Sequence, residues 1–165
     1  MPAWTTSPRT WSVGETVTAA NLNAQLRDMQ NAFGAWTSYT PSWTASTTNP
    51  VIGNGTIVGA YTQVQKTVWY RAQITMGSTT TYGSGVYSLS LPVTHGTSSN
   101  QIVEAVAFDT STGFYYRGLT VLFTAGTIRT QFVDAAGSTS GWTPTVPFTW
   151  ASGDIYMVSG CYEAA

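Results

Sequence analysis

Charge is what this chain has least of. Only 8% of its 165 residues are Asp, Glu, Lys or Arg, against about 25% in an ordinary soluble domain. The six cations, Arg9, Arg27, Lys66, Arg71, Arg117 and Arg129, are scattered and never clustered. A surface that tracks phosphates needs several cations in one patch, so nucleic acid is not an expected partner. No apolar run of about twenty residues and no polybasic stretch occurs, so no membrane partner is expected either. Solubility must rest on hydroxyls and amides, or on neighbouring subunits that cover the surface. Met1-Pro2-Ala3-Trp4-Thr5 carries neither a cationic nor an apolar leader segment. The expectation is a protein made in a cytoplasm and not exported by a signal peptide.

Metal and redox chemistry are equally short of ligands. The chain has one cysteine, Cys161, and one histidine, His95, far apart in sequence. A zinc site needs several such residues, and a calcium loop needs clustered carboxylates, so no metal and no cofactor are expected. Cys161 lies in the alternating run Ile155 to Tyr162 and reads as a small core residue. Catalytic pairs are scarce too. Glu104 and Asp134 are the sole carboxylates with a glycosidase-like placement, and two solvated charges is the favoured reading. Ser84 in Gly83-Ser84-Gly85 lacks the strand–elbow–helix context of a nucleophile. Asn54-Gly55-Thr56 fits a glycosylation sequon but reads as a turn. No enzymatic activity is expected.

Apolar residues are not lacking: they make up 42% of the chain, enough for one domain with a core. From Ala19 they recur at Leu22, Leu26, Met29 and Phe33, spaced three, four, three, four. That period draws a narrow seam down a helix over residues 19–33, with Thr18 as N-cap and Gly34 as terminator. Two heptads are too short to stand alone in water, so the seam predicts contact with other copies. Ahead of it, Trp4, Trp11 and Val13 are candidate anchoring residues. Residues 34–54 read as a linker whose Trp36, Tyr39, Pro41 and Trp43 pack on the first strands.

After Gly55 the period changes to two. Strands are predicted at 56–63, 67–76, 86–91, 101–108, 114–123, 127–133, 145–150 and 155–162, with turn chemistry between them. Eight short strands at this spacing point to a mainly β fold, an antiparallel β-sandwich of jelly-roll type with a short N-terminal helix. Its edges carry few guards, which suggests a closed oligomer, with a trimer expected. The domain plan is therefore an anchor and oligomerisation helix over 1–33, a linker over 34–54 and a β head over 55–165. Seven Trp and nine Tyr are a heavy aromatic load. Tyr82 and Tyr87 beside a glycine-rich loop, and Tyr115-Tyr116 beside Arg117, form the candidate ligand platform. On a strand, Tyr115 and Tyr116 must face opposite ways.

The stretch Trp11-Ser12-Val13-Gly14-Glu15-Thr16-Val17-Thr18-Ala19-Ala20-Asn21-Leu22-Asn23, with Leu26-Arg27-Asp28 and Phe33, resembles a segment of small virion proteins from tailed phages of actinobacteria. Tyr39-Thr40-Pro41-Ser42-Trp43-Thr44, Asn49-Pro50 and Ile52-Gly53-Asn54-Gly55-Thr56 are similar to stretches of their minor tail and fibre-like proteins. So are Gly77-Ser78-Thr79-Thr80, Tyr82-Gly83-Ser84-Gly85 and Ser90-Leu91-Pro92. The resemblance spans roughly half the chain and implies a particle-bound N-terminal part with an outward-facing trimeric β head. Its implied partners are further copies, other virion proteins of tail or capsid, and host-surface carbohydrate. The leading expectation is a non-enzymatic virion surface protein. A capsid decoration protein without receptor binding is the alternative, and a glycan-degrading tail enzyme comes third.

Overall fold

The computed structural model describes residues 10–27, 35–96, 101–123, 126–133 and 137–165. The N-terminal part is helical as expected, though differently wound. Thr18 caps helix α1 (Ala19–Leu22), its hydroxyl accepting from the Asn21 amide at 3.2 Å. The chain then widens into a π-helical stretch, Asn23–Arg27. Asn21 and Asn23 are weak helix formers, and so short a helix is marginal on its own. Trp4, Met29, Phe33 and Gly34 lie outside the described residues.

Ten strands follow among the described residues: β1 (Thr37–Tyr39), β2 (Trp43–Ala45), β3 (Thr56–Val64), β4 (Thr67–Thr75), β5 (Tyr87–Ser90), β6 (Ile102–Asp109), β7 (Phe114–Phe123), β8 (Thr127–Val133), β9 (Thr139–Gly141) and β10 (Ile155–Glu163). Every pairing between them is antiparallel. They form one path, β1-β3-β4-β10-β6-β7-β8-β5-β2, with β9 added on β8. Mainly antiparallel β with a short helix is thus what the chain adopts. The two separate facing sheets of a sandwich do not appear among the described residues. One sheet curls into a half-barrel instead.

The curl follows from connectivity. The strands that end the path, β1 and β2, are separated in sequence only by Thr40, Pro41 and Ser42. Such a connection reaches about 14 Å, whereas eight inter-strand steps laid flat span about 38 Å. The sheet has to bend until its two borders come within that reach. A contact across the interior agrees. β10 and β8 lie three steps apart, about 14 Å in a flat sheet, yet the Tyr156 hydroxyl meets Thr130 Oγ1 at 2.5 Å.

Strand alternation fills the inside of the curl. Val68, Tyr70, Ala72 and Ile74 of β4 point inward, as do Tyr156, Val158 and Tyr162 of β10. At the centre Trp142 stacks on Tyr156 at 3.8 Å and on Trp43 at 6.0 Å, with Tyr87 edge-on at 4.9 Å. The buried hydroxyls of Thr120, Thr130 and Tyr156 satisfy one another. Gly160 is required where β10 crosses β6, because a Cβ there would sit 2.5 Å from Val103 Cγ1.

Several expectations need correction. Residues 145–150 are not a strand: Pro144 and Pro147 cannot donate to a ladder, and the segment turns, the Trp150 amide donating to Pro144 O. The expected linker contains β1 and β2, the two border strands, and Trp43 is buried in the core. The turn expected over 135–141 contains β9. Cys161 is exposed, since Tyr162 beside it takes the inward position on β10.

Side-chain hydrogen bonds fix two of the loop pairs. Gly53-Asn54-Gly55 and Gly77-Ser78-Thr79 clasp each other: Thr79 N donates to Asn54 Oδ1 at 3.0 Å, and Asn54 N donates to Thr79 Oγ1 at 2.9 Å. Asn54 therefore acts as a turn residue, as the sequence suggested. Asp154, buried, accepts from Thr110 N and Ala151 N at 3.0 and 2.7 Å and ties two loops at one end of the sheet.

Candidate functional site

The residues expected to form a ligand platform separate in the structure. Tyr87 is fully buried, its hydroxyl donating to Tyr82 O, so it presents no face to a ligand. The misreading came from its glycine-rich neighbourhood; the inward parity of β5 places it in the core. Tyr82 packs half-buried against that same core. Tyr116 points inward and meets Phe148 at 5.1 Å, while Tyr115 faces outward at 65% exposure, so the pair does split across the strand. Arg117 is exposed on the outer side with Tyr115.

The outer face of the sheet is where exposed side chains converge. Register sets one row across four strands: Ala60 of β3, Arg71 of β4, Ser159 of β10 and Glu104 of β6. The small residues Ala60 and Ser159 leave a floor between longer neighbours. A trough of about 690 Å³ opens there, lined also by Gln73, Met157 and Tyr115. That volume is within the range of small-molecule sites. Tyr115 is held in place by stacking on Phe108 at 4.4 Å. At the other side the Arg71 guanidinium lies 4.8 Å from the centre of the Trp36 ring, a cation–π contact that fixes both groups. Glu104 meets Arg117 at 3.4 Å with both side chains more than three-quarters exposed, a pair worth little to stability.

Arg71, Gln73 and Ser159 were not singled out by sequence reasoning, and Trp36 was expected only to pack on the first strands. The available signal was the two-residue period of β4, in which Trp69, Arg71 and Gln73 alternate with Val68, Tyr70 and Ala72. Trp36 carried no such signal, because its place over β4 depends on the pairing of β1 with β3.

The carboxylate pair considered for acid–base chemistry is described only in part. Glu104 is paired with Arg117, and its proposed partner Asp134 lies outside the described residues. His95 is buried, with Nδ1 2.8 Å from Gly96 O. Among the described residues no group of three or more His, Cys, Asp or Glu is placed to hold a metal ion, and no helix is long and apolar enough to cross a membrane. Asp109 holds the β6–β7 turn, accepting from Ser111 Oγ and Ser111 N at 2.7 and 2.9 Å. The Ser111 hydrogen bond keeps its carboxyl below the ordinary aspartate range.

The expected oligomer seam is only partly described. Its residues Ala19, Leu22 and Leu26 lie on the N-terminal helical segment, and no residue of α1 is buried. Leu22 and Leu26 are 43% and 57% exposed, and Val13 and Val17 are exposed ahead of them. Trp11, an expected anchor, is exposed as well. Compared with family models, curated proteins and solved structures, the chain finds no match.

Proposed function

We propose that this chain is a non-enzymatic structural protein of a tailed-phage particle, assembled as a trimer through its N-terminal helix, with the curled sheet displayed outward for attachment to host-surface glycans. One observation carries the reading. Leu22 and Leu26 stand exposed on a helix ahead of a sheet that completes its own core without them. An apolar stripe outside a finished core has its natural cover in other copies or in a docking surface. The low charge of the chain supports the same view, because surface covered by neighbours needs few ions for solubility. The curl brings two halves of the sheet against one aromatic core, the packing a jelly-roll sandwich reaches with two sheets, and leaves its outer face free for display.

Purified particles labelled with a gold-conjugated antibody against the β head test the proposal by negative-stain microscopy. Gold on the tail is the expected result. Gold on the capsid shell favours a decoration role. Label confined to the host cytoplasm, with bare particles, refutes the virion reading.

A further inference from the structure

We propose that the outer-face trough is a binding site for a neutral oligosaccharide, stacked on Tyr115 and hydrogen-bonded by Arg71, Gln73, Ser159 and Glu104. The source of the sugar, a cell surface, rests on the attachment reading above; its chemical class is read from the lining itself.

A pyranose presents flat C–H faces and a rim of hydroxyls that both donate and accept. The trough offers the complementary set. Tyr115 supplies an aromatic face at one side, 65% exposed and already fixed by Phe108, and Arg71, fixed by the Trp36 ring outside the lining, stands at the other. Side chains stacked before a ligand arrives lose little freedom on binding. Between them the polar groups are of both kinds. Arg71 and the Gln73 amide donate, the Glu104 carboxylate accepts, and the Ser159 hydroxyl does either. The Ala60–Ser159 floor keeps the backbone close to any ring lying in the trough.

Charge selects against the other occupants. Glu104 projects from the row that contains Arg71 and is 77% exposed. An anionic chain following Arg71 and Arg117 meets that carboxylate between them. A second copy packed flat on this face would strip water from Arg71, which stands two strand spacings, about 10 Å, from Glu104, a carboxylate already paired with Arg117. Taking charges out of water without a partner is costly. A ligand rich in hydroxyls keeps both groups hydrogen-bonded.

The full chain is titrated, by calorimetry and tryptophan fluorescence, with neutral trisaccharides of glucose, mannose, galactose and N-acetylglucosamine. Saturable binding of at least one is expected, with fluorescence reporting through Trp36. Tyr115→Ala, Arg71→Ala and Glu104→Gln each weaken it tenfold or more, while Val51→Ala, away from the trough, leaves it unchanged. Thermal unfolding of every variant confirms the fold, and the conservative, exposed Glu104→Gln serves if an aromatic variant loses its transition. Absence of saturable binding across the four sugars overturns the proposal, as does binding that survives both Tyr115→Ala and Arg71→Ala. Tighter binding of a sulfated trisaccharide than of its neutral parent overturns the neutral class. A fall in mass by light scattering for Tyr115→Ala, without sugar binding by the parent, assigns the face to a second copy. Sugar binding with unlabelled particles defeats the virion reading and leaves the site standing; labelled particles without sugar binding defeat the site alone.

Discussion

Raising the pH through the tyrosine range sets the buried rings of the half-barrel against the fold that holds them. Burial pushes Tyr70 and Tyr156 well above the ordinary phenol value, and lifts Tyr162 to about 12 despite its hydrogen bond to Val93 O. Tyr39 and Tyr87 are raised by burial in the same direction. In the unfolded chain all of these ionise near 10. The stability they contribute is therefore complete below pH 10 and is lost as the pH climbs toward the folded values, because the unfolded state then binds fewer protons. Each phenol that stays neutral in the fold removes about 1.4 kcal/mol per pH unit above 10. Tyr70 and Tyr156 are both buried, and for as long as both stay neutral they together remove about 5 kcal/mol between pH 10 and 12. That equals the low end of the stability of a whole domain, about 5–15 kcal/mol. Buried Tyr87 and Tyr162 act in the same direction, and half-buried Tyr39 adds a smaller amount, since solvent screens it. The assay follows tyrosinate absorbance at 295 nm and near-ultraviolet circular dichroism on the same samples. Cooperative loss of the dichroism together with a burst of tyrosinate is expected above pH 10. Tyr156→Phe should make the alkaline limb of the stability curve shallower. Smooth ionisation of all nine tyrosines near pH 10, with the dichroism unchanged to pH 12, would refute the reasoning.

Trp142 contacts Trp43, Tyr87, Trp150 and Tyr156 at the centre of the core. Trp142→Ala should cost about 3–5 kcal/mol in urea unfolding, by lost burial and the cavity left behind. Asp109 sits below its ordinary range, so its contribution is present above about pH 4 and disappears as the pH falls through the folded value. Asp109→Ala should lower the thermal midpoint at pH 7, by an amount that shrinks as the pH is taken below 4. Leu26→Asp places a charge on the exposed seam; the mass by light scattering should fall, and an unchanged mass would refute helix-mediated assembly.

The long strands were legible because one side chain in two had to be apolar. β7 and β8 begin and end at the residues that alternation and turn chemistry assigned them. Three-residue strands have no period to read, which is why β1, β2 and β9 stayed hidden in stretches rich in Ser, Thr and Pro. The order of strands was hidden for another reason. β10 inserts between β4 and β6, a pairing decided by what the whole interior buries and by no local signal. The candidate trough inherits that difficulty, since Trp36, Arg71, Ser159 and Glu104 share a face only once the sheet is assembled. Of the aromatic residues singled out in advance, Tyr115 alone lines it.

Because Thr37–Tyr39 and Trp43–Ala45 lie on opposite borders of one sheet, nine consecutive residues work as a buckle. They have no ladder to join until β3 and β5 are in place, so the buckle fastens late in folding. Cleaving the chain between Tyr39 and Trp43 would release both borders at once. Two unpaired rows of amides and carbonyls would then be open to strands from other molecules.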